Sequence, residues 1–431
     1  MRTVRFIYNV LLYLTFPLLF PWFLYRRVVR GKPFPDVAAR LGRKLPEPPP
    51  EGVESVWIHA VSVGEALMVG PLIARIEADP ARRVIYLSTT TATGREAARK
   101  AYGDRVRLLA CPFDLPGAVR RVLDRLRPSR LVIAETELWP NLITLAARRG
   151  VPVAVVNGRI SDRAYPRYRR VRPFMAPFLR QLDAILAQSP RDAERFVALG
   201  ARPETVRVSG NLKFDALKAV VPDDALAARV RDAFGEPDPR VMLCGSTTEG
   251  EEALLLGPFR RLADDFPRLR WVVAPRHPER FEAVARLFAD AGFPTARRSR
   301  LPDAAVPSAR VVVLDTIGEL SRLYFTADLV FVGGSLAPRG GHNILEPAAA
   351  GKPVLVGPSM ENFREILDAF REEDAVVVVP DAPALEAALR RLLADPAAGA
   401  ALGRRAESVT RSRQGAAERC HAALFGPSNR I

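Results

Sequence analysis

The sequence lacks the motifs that mark the best-known nucleotide-binding folds. Its 431 residues contain neither a Gly-x-x-x-x-Gly-Lys-[Ser/Thr] phosphate loop nor a Gly-x-Gly-x-x-Gly motif after the first predicted strand. The first motif would place a lysine on ATP phosphates, and the second would place a helix N-terminus on a dinucleotide. Without them, ATPase and dinucleotide-dependent oxidoreductase functions lose their usual support.

Cysteine and histidine are scarce as well. The three cysteines are odd in number and widely spaced, so they predict neither a disulfide framework nor a zinc site, and they favour a reducing compartment. Three of the four histidines lie at the ends of predicted strands, an arrangement that packing alone is not expected to produce: His59, His277 and His342. Because no His-x-x-x-His spacing accompanies them, we predict no metal site.

Negative charge is under-represented in one half of the chain only. Residues 1–220 contain 37 Lys and Arg against 19 Asp and Glu, whereas residues 221–431 contain 27 against 29, within a net charge of +16. A uniform compositional bias would have charged both halves. The first half is therefore expected to face an anionic partner, which could be a membrane surface, a phosphorylated substrate or nucleic acid.

The amino terminus contains a long apolar segment. Residues 6–25 carry no charge, and as a helix they would span roughly 30 Å, the thickness of a bilayer core. Basic residues cluster more strongly after the segment than before it, which would keep the following domain cytoplasmic. We predict a membrane-anchor helix over residues 1–30, spanning the bilayer or lying in one leaflet, and a Pro-rich linker over residues 31–52. A buried core helix is the alternative.

Short apolar runs then alternate with amphipathic segments, which predicts α/β domains with parallel, doubly wound sheets. We expect a first Rossmann-like domain over residues 53–215, a linker over 216–238 and a second Rossmann-like domain over 239–425. The first series of strands is predicted at 55–61, 83–88, 130–134, 151–157, 184–188 and 205–210, and the second at 240–244, 270–275, 310–314, 328–332, 354–357 and 375–379.

Charged side chains follow the predicted strands of the first domain. Glu65 lies at a glycine turn where burial could raise a carboxyl pKa and create a general base; a helix-capping acid is the alternative. Glu135 and Glu137 follow a strand, and alternation would put them on opposite faces, so at most one is expected to reach the site. Lys213 could neutralise a phosphate or carboxylate; a surface lysine is the alternative.

Arginines and aromatic residues are interleaved over residues 159–180. This pattern fits a lipid headgroup surface or nucleic acid. A solvated helical face is the alternative. The neighbouring apolar segment favours lipid.

In the second domain, glycines and polar residues are concentrated in residues 333–347, between two predicted strands. The two glycine pairs permit positive φ and a close approach of backbone amides to a ligand. Glu346 could accept hydrogen bonds from a sugar diol, and amides at the helix N-terminus suit a phosphate. The small hydroxyl residues within 244–250 could also cradle an anion. Together these features indicate a nucleotide site; a glycine loop with Glu346 compensating the helix dipole is the alternative.

In order, these stretches resemble the 3-deoxy-D-manno-octulosonic acid (Kdo) transferases of lipopolysaccharide synthesis, and the resemblance runs nearly end to end. It rests on several motifs in one order, which makes it specific. The motifs are His-Ala-Val-Ser-Val-Gly-Glu ending at Glu65, Glu-Thr-Glu-Leu-Trp-Pro-Asn from Glu135, Gly-Asn-Leu-Lys-Phe around Lys213, Pro-Arg-His-Pro-Glu-Arg around Arg276, Gly-Glu-Leu from Gly318, and Gly-Gly-His-Asn-Ile-Leu-Glu-Pro around Glu346.

The resemblance implies a two-domain GT-B fold and an inverting transfer of Kdo from CMP-Kdo to the lipid A precursor, lipid IVA, without a metal or other cofactor. It places the enzyme at the cytoplasmic face of the inner membrane of a Gram-negative bacterium. It implies Glu65 as general base, with Glu135 and Lys213 stabilising the transition state. The residues implied in binding CMP are Arg276, His277, Ile317, Gly318, Glu319, Asn343, Ile344, Leu345 and Glu346.

Two other functions are considered. A nucleotide-sugar 2-epimerase on the same fold would explain the carboxylates and the second-domain pocket, but not the apolar segment or the basic first half. A non-enzymatic membrane- or nucleic-acid-binding protein would explain the basic half, but it does not require carboxylates at strand ends. The favoured interpretation includes no nucleic-acid partner.

Overall fold

Two parallel β-sheets organise the chain in the computed structural model. The structure describes residues 2–15, 36–217, 222–301 and 308–426. The described residues form two units: one runs to Ala216 and resumes at Gln414, and the other runs from Leu217 to Arg413. The predicted tandem of Rossmann-like domains is confirmed, since each unit contains one seven-stranded sheet with helices.

Every strand pair of the first sheet is parallel, in the spatial order β3-β2-β1-β4-β5-β6-β7. The strands are β1 (Ser55–His59), β2 (Val84–Thr89), β3 (Arg107–Ala110), β4 (Arg130–Ala134), β5 (Val153–Gly158), β6 (Ala184–Ala187) and β7 (Val206–Val208). The helices are α1 (Arg2–Thr15), α2 (Val37–Arg40), α3 (Val63–Met68), α4 (Gly70–Ala78), α5 (Ala92–Tyr102), α6 (Pro116–Leu126), α7 (Pro140–Ala147), α8 (Tyr165–Arg170), α9 (Arg172–Leu179), α10 (Pro190–Ala198) and α11 (Leu212–Asp215).

The core of this unit lies on both faces of the sheet. All five residues of β1 are buried. Its alternate side chains enter different apolar clusters, because successive residues of a strand point to opposite faces. Val56 and Ile58 belong to one cluster and Trp57 to the other. Burial on both faces explains why the sequence shows continuous apolar runs here and not alternation.

The second sheet is also parallel throughout, in the order β10-β11-β9-β8-β12-β13-β14. The strands are β8 (Arg240–Thr247), β9 (Leu269–Pro275), β10 (Thr295–Arg297), β11 (Val311–Val313), β12 (Leu329–Val332), β13 (Val354–Val356) and β14 (Val377–Val378). The helices are α12 (Asp224–Ala233), α13 (Glu251–Asp265), α14 (Phe281–Asp290), α15 (Leu320–Leu323), α16 (Leu345–Ala349), α17 (Arg364–Glu372), α18 (Ala382–Ala394) and α19 (Pro396–Ser412).

The last described helix, α20 (Ala416–Phe425), belongs to the first unit and not to the second. Asp215 caps its start, accepting hydrogen bonds from the amides of Gly415 and Ala417 at 2.6 Å each. Cys420 is buried in a core cluster of the first sheet. The predicted second domain, 239–425, ran through this helix, because chain order alone does not show that the chain returns to its first sheet.

The predicted anchor over residues 1–30 is described only in part. Residues 2–15 form α1, while residues 16–30 and the first part of the predicted linker, 31–35, lie outside the described residues. Among the helices of the described ranges, none is long and apolar enough to cross a membrane.

A buried carboxylate, Asp114, joins α1 to the start of α7. Its side chain accepts hydrogen bonds from the Tyr8 hydroxyl at 2.9 Å and from the amides of Asn141 and Leu142 at 2.9 and 2.8 Å. Burial raises the pKa of Asp114 to about 7, although these hydrogen bonds oppose the shift. Two of the donors are first-turn amides of α7, so Asp114 acts as a cap supplied from another loop.

We expect Asp114 to make stability depend on pH. Its pKa is raised on folding, so between about 4 and about 7 the folded protein holds a proton that the unfolded chain has released. The free energy of unfolding should therefore fall as the pH rises through that window. Between pH 5 and pH 8, the midpoint of thermal unfolding should fall less for Asp114→Asn than for the wild type. The exposed Asp104→Asn should behave as wild type, and parallel losses in all three proteins would remove Asp114 as the cause.

Candidate active site

The functional candidates of the first unit lie where its parallel strands end. Glu65 follows β1, Glu135 and Glu137 follow β4, and Lys213 follows β7. Because the carboxyl ends of parallel strands share one edge of the sheet, these residues are placed at the edge where α/β folds bind ligands.

Glu65 is the acid of a reciprocal capping box on α3. Its carboxylate accepts hydrogen bonds from the Val61 amide and the Ser62 hydroxyl, both at 2.8 Å, and the Glu65 amide donates to the Ser62 hydroxyl at 3.2 Å. The side chain is only half-buried. Glu65 therefore acts as the helix-capping acid that was the alternative prediction, and its carboxylate is fixed in orientation but partly exposed.

Glu135 and Glu137 both lie within electrostatic reach of Glu65. The expectation that at most one would reach the site was wrong, because side chains two residues apart on a strand point to the same face and not to opposite faces, and because the strand itself ends at Ala134. Glu135 has a left-handed backbone (φ +54°) and begins a turn. Burial raises the pKa of Glu135, Glu65 adds to the shift, and Lys213 opposes it. Burial also raises the pKa of Glu137, which the Trp139 indole N–H opposes by donating a hydrogen bond at 2.9 Å.

A buried amide network positions Lys213. Asn157, at the end of β5, accepts a hydrogen bond from the Leu212 amide at 2.9 Å, and Asn211 accepts one from the Lys213 amide at 2.9 Å. Gln188 bridges them, donating to the Asn157 carbonyl at 3.1 Å and accepting from the Asn211 side chain at 3.0 Å. The positioning role of these amides was not predicted from the sequence. The sequence feature that could have identified these residues is an amide side chain at the end of an apolar strand or next to the lysine.

His59 is structural. It is fully buried, its Nδ1 lies 2.8 Å from the Ser88 hydroxyl, and its ring packs edge-on against Trp139. Burial lowers the pKa of His59 to about 4, so the ring is neutral at physiological pH. The expectation that packing alone would not account for a histidine at a strand end was therefore wrong for His59.

In the second unit the predicted nucleotide-binding residues also follow strands of one edge. Arg276 and His277 follow β9 and are exposed. The turn after β11 has an open glycine, Gly318 at φ +90°, beside Ile317, a residue that is 82% exposed. Glu319 is held by Arg298 at 2.8 Å and by the Thr316 hydroxyl. An exposed isoleucine at such an edge offers an apolar surface to a planar base.

The loop after β12 brings a half-buried acid, Glu346, close to Arg276. The Glu346 carboxylate accepts a hydrogen bond from the Asn343 side chain at 3.2 Å. Burial raises the pKa of Glu346, whereas Asn343 and Arg276 oppose the shift. Burial lowers the pKa of His342, to which the charges of Arg276 and His277 add. One polar group is therefore formed by five residues: Arg276, His277, His342, Asn343 and Glu346.

The side chains of Ile344 and Leu345 are almost completely buried. Only their backbone atoms could contact a nucleotide. Their assignment to CMP binding, like that of the other predicted residues, remains a prediction.

The glycine loop is organised by Glu251, which the sequence analysis missed. This fully buried carboxylate accepts hydrogen bonds from the amides of Gly334 at 2.6 Å and Ser335 at 3.0 Å. It also accepts from Leu336 at 2.9 Å and, at 2.9 Å each, from the amide and hydroxyl of Thr248. For these amides and for the Thr248 hydroxyl, the expectation of an anion site was therefore wrong, because a carboxylate of the protein already occupies them. The prediction that amides at the start of α16 suit a phosphate concerns other groups and stays a prediction.

The remaining glycine amides are engaged as well. The Gly340 amide donates to the Ser359 hydroxyl at 3.0 Å, and the Gly341 amide donates to the Gly334 carbonyl at 2.8 Å. Gly333 is required sterically, because a Cβ there would lie 2.6 Å from the Thr247 Cα. The glycines thus permit close packing of this loop against neighbouring segments of the same unit.

Two other features of the described residues bear on the site. Among them, no three His, Cys, Asp or Glu side chains are grouped so as to hold a metal ion. A cavity of about 270 Å³ in the second unit lies at the opposite, amino-terminal edge of the sheet, and its lining includes Arg240, Asp328 and Lys352. It contains none of the predicted site residues.

We expect Glu251→Gln to destabilise the second unit strongly. The amide would place an N–H₂ group against buried N–H donors, and breaking such a charged network costs about 3 kcal/mol or more. Thermal unfolding should show a large fall in midpoint. The neighbouring Glu249, whose side chain is 80% exposed, provides the matched control Glu249→Gln, which should unfold as wild type. Equal midpoints for the two variants would contradict the role of Glu251.

Comparison with known proteins identifies the family. The family model described as 3-deoxy-D-manno-octulosonic-acid transferase (kdotransferase) matches residues 36–216, and the model described as glycosyl transferases group 1 matches residues 296–409. In fold, the chain is similar to a UDP-GlcNAc 2-epimerase from Neisseria meningitidis, with a TM-score of 0.59 at 13% identity over 86% of this chain and 99% of that one. At this identity the likeness concerns the fold alone.

Relatives named 3-deoxy-D-manno-octulosonic acid transferase are similar over most of their length. The Bordetella pertussis protein is 36% identical over 433 residues, covering 97% of this chain and 98% of that protein. The Haemophilus influenzae protein is 34% identical over 377 residues, covering 86% of each. The resemblance found in the motifs is thereby confirmed, and the chain belongs to the 3-deoxy-D-manno-octulosonic acid transferase family, glycosyltransferases of lipopolysaccharide biosynthesis.

Proposed function

We propose that this chain is an inverting glycosyltransferase that moves Kdo from CMP-Kdo to the lipid A precursor, lipid IVA, at the cytoplasmic face of the inner membrane. The observation that carries the proposal is the electrostatic grouping of Glu65, Glu135 and Lys213 at one sheet edge. An acid held in a fixed orientation beside a second acid and a lysine suits proton transfer followed by charge stabilisation.

In the proposed reaction, Glu65 takes the proton of an acceptor sugar hydroxyl. The hydroxyl oxygen attacks the anomeric carbon of Kdo, while the bond from that carbon to the phosphate oxygen of CMP breaks. Transfer passes through an oxocarbenium-like state, and the departing phosphate takes up the negative charge. A single direct displacement inverts the anomeric centre and needs no enzyme nucleophile. Glu135 and Lys213 stabilise this state.

The second unit binds the nucleotide in this proposal. Arg276 and His277 are exposed and can meet the phosphate charge. Glu346, held by Asn343, can accept hydrogen bonds from the ribose hydroxyls. The turn with Ile317 can pack against the base. The proposed reaction uses no metal or other cofactor.

The anionic acceptor and the membrane account for the basic first half. Six arginines over residues 159–180 are exposed, whereas the aromatic residues among them are half-buried or buried. Tyr165 and Tyr168 pack against the core of the first sheet. The interleaving seen in the sequence therefore becomes an inward aromatic face and an outward cationic one: Arg163, Arg167, Arg169, Arg170, Arg172 and Arg180. Such a face is suited to phosphate groups and lipid headgroups, not to stacking on nucleic-acid bases.

A transfer assay tests the proposal. Purified protein is incubated with CMP-Kdo made in situ and a tetra-acylated lipid A precursor, and the products are analysed by mass spectrometry. An increase of the lipid mass by one or two Kdo units supports the proposal and shows the number of additions. Release of CMP without a change in the lipid indicates hydrolysis or another acceptor. Absence of both would favour the epimerase or binding-protein functions.

We expect Glu65→Gln to lose transfer while keeping its fold. A capping box accepts glutamine as well as glutamate, so the hydrogen bonds around Ser62 can persist, whereas the general base is removed. The turnover number should fall about 100-fold or more, with CMP affinity unchanged. The exposed Glu96→Gln provides the control. Near-wild-type turnover of Glu65→Gln would show that Glu65 serves only as a cap.

Glu346→Gln should mainly weaken donor binding. The charged acceptor for the ribose hydroxyls is replaced by a neutral amide, and charge-assisted hydrogen bonds are about twice as strong as neutral ones. Steady-state kinetics should show a donor KM raised about ten-fold with a smaller change in kcat. The exposed Glu373→Gln of the same unit should leave both constants unchanged. An unchanged donor KM in Glu346→Gln would remove the ribose role.

A further inference from the structure

The amino-terminal helix α1 has two distinct faces. Its inward stripe comprises Tyr8, Asn9 and Leu12, and Leu12 packs against the small apolar cluster that contains Phe113. The spacing of this stripe is that of one helical face. Its other face is apolar and exposed, and comprises Phe6, Ile7, Val10, Leu11, Tyr13 and Leu14.

The inward contact of α1 is polar and specific. The Tyr8 hydroxyl donates to the Asp114 carboxylate, and the Asn9 side chain accepts a hydrogen bond from the Asn141 side chain at 2.7 Å. Asp114 and Asn141 are 3% and 1% exposed. A tether to a membrane needs only length and apolarity, and so it has no use for buried hydrogen bonds to the domain it carries.

The contact leads directly to the acidic segment of the site. No side chain of the residue preceding α7 caps this helix, and Asp114 takes that place. Asn141 is also bound to the Asp114 carbonyl at 2.6 Å. Immediately before α7 lies Trp139, whose indole holds Glu137. Through these hydrogen bonds, α1 helps to position the start of α7. The start of α7 in turn helps to position the turn that contains Glu135 and Glu137.

We infer that Tyr8 and Asn9 are positioning residues for the transfer reaction, acting through Asp114 and Asn141 on the acidic turn before α7. This inference rests on the proposed function. It makes α1 a structural part of the first unit's active site in addition to any membrane contact of its exposed face. Without the Tyr8 hydroxyl, Asp114 keeps only the two amides of α7, and without the Asn9 side chain, one N–H of the Asn141 amide loses its acceptor. Either loss weakens the hydrogen bonding of a buried polar group and so loosens the helix start.

The test uses the full chain and measures kcat, donor KM and vesicle binding for Tyr8→Phe and Asn9→Leu. Tyr8→Phe removes one oxygen atom and keeps the ring contact with Phe174. We expect kcat to fall about ten-fold, because small misplacements of catalytic groups are costly, with donor KM unchanged. Binding to phosphatidylethanolamine–phosphatidylglycerol vesicles should also be unchanged. The control Tyr13→Phe alters a tyrosine of the same helix that is 56% exposed. It should have the kcat, donor KM and vesicle binding of the wild type.

A double-mutant cycle separates positioning from general weakening of the fold. If Tyr8 acts through Asp114, adding Tyr8→Phe to Asp114→Asn should lower kcat little further. The kcat losses of the two single variants are then not additive in the double variant. Wild-type kcat in both single variants, or a kcat loss that only follows reduced vesicle binding, would overturn the inference. Failure of the proposed function itself would be recognised separately, because the wild-type chain would then show no transfer.

Discussion

The arrangement of the second unit depends on one buried carboxylate. Glu251, at the start of α13, gathers the amides of the loop after β12 and the turn after β8 around its two oxygens. A buried charge is tolerated only where hydrogen bonds compensate its lost hydration, so loop and acid require each other. With those amides engaged, the proposed site meets the negative charge of a nucleotide with side chains, and Arg276 and His277 are exposed at the same edge.

The first unit likewise contains acids of two degrees of burial. Asp114 is buried and its hydrogen bonds hold α1 and α7. Glu65, Glu135 and Glu137 are only half-buried, and Glu65 lies close enough to Glu135 and Glu137 to raise the pKa of both. A carboxylate that is fully enclosed can organise backbone, whereas one that stays open to solvent and substrate can exchange a proton. Burial therefore distinguishes acidic residues that look alike in the sequence.

Much of the fold could be predicted because buried parallel strands are continuous apolar runs, and the motifs at their ends identified the family. The short edge strands β3 and β10 were missed, since a run such as Thr295–Arg297 contains little apolar signal. Nothing in the local sequence distinguishes buried Glu251 from exposed Glu249, because their difference is created by a loop 83 residues away. The left-handed turn at Glu135 and the return of α20 to the first sheet likewise arise from tertiary packing.

Titration of CMP into the protein, followed by calorimetry, tests most directly the claim that side chains and not loop amides hold the nucleotide phosphate. We predict that Arg276→Gln weakens CMP binding about ten-fold or more, as loss of a charge-assisted hydrogen bond requires. Arg229→Gln, an exposed arginine of α12, should bind CMP as wild type does. An unchanged CMP affinity in Arg276→Gln would contradict the account and return the phosphate to the backbone.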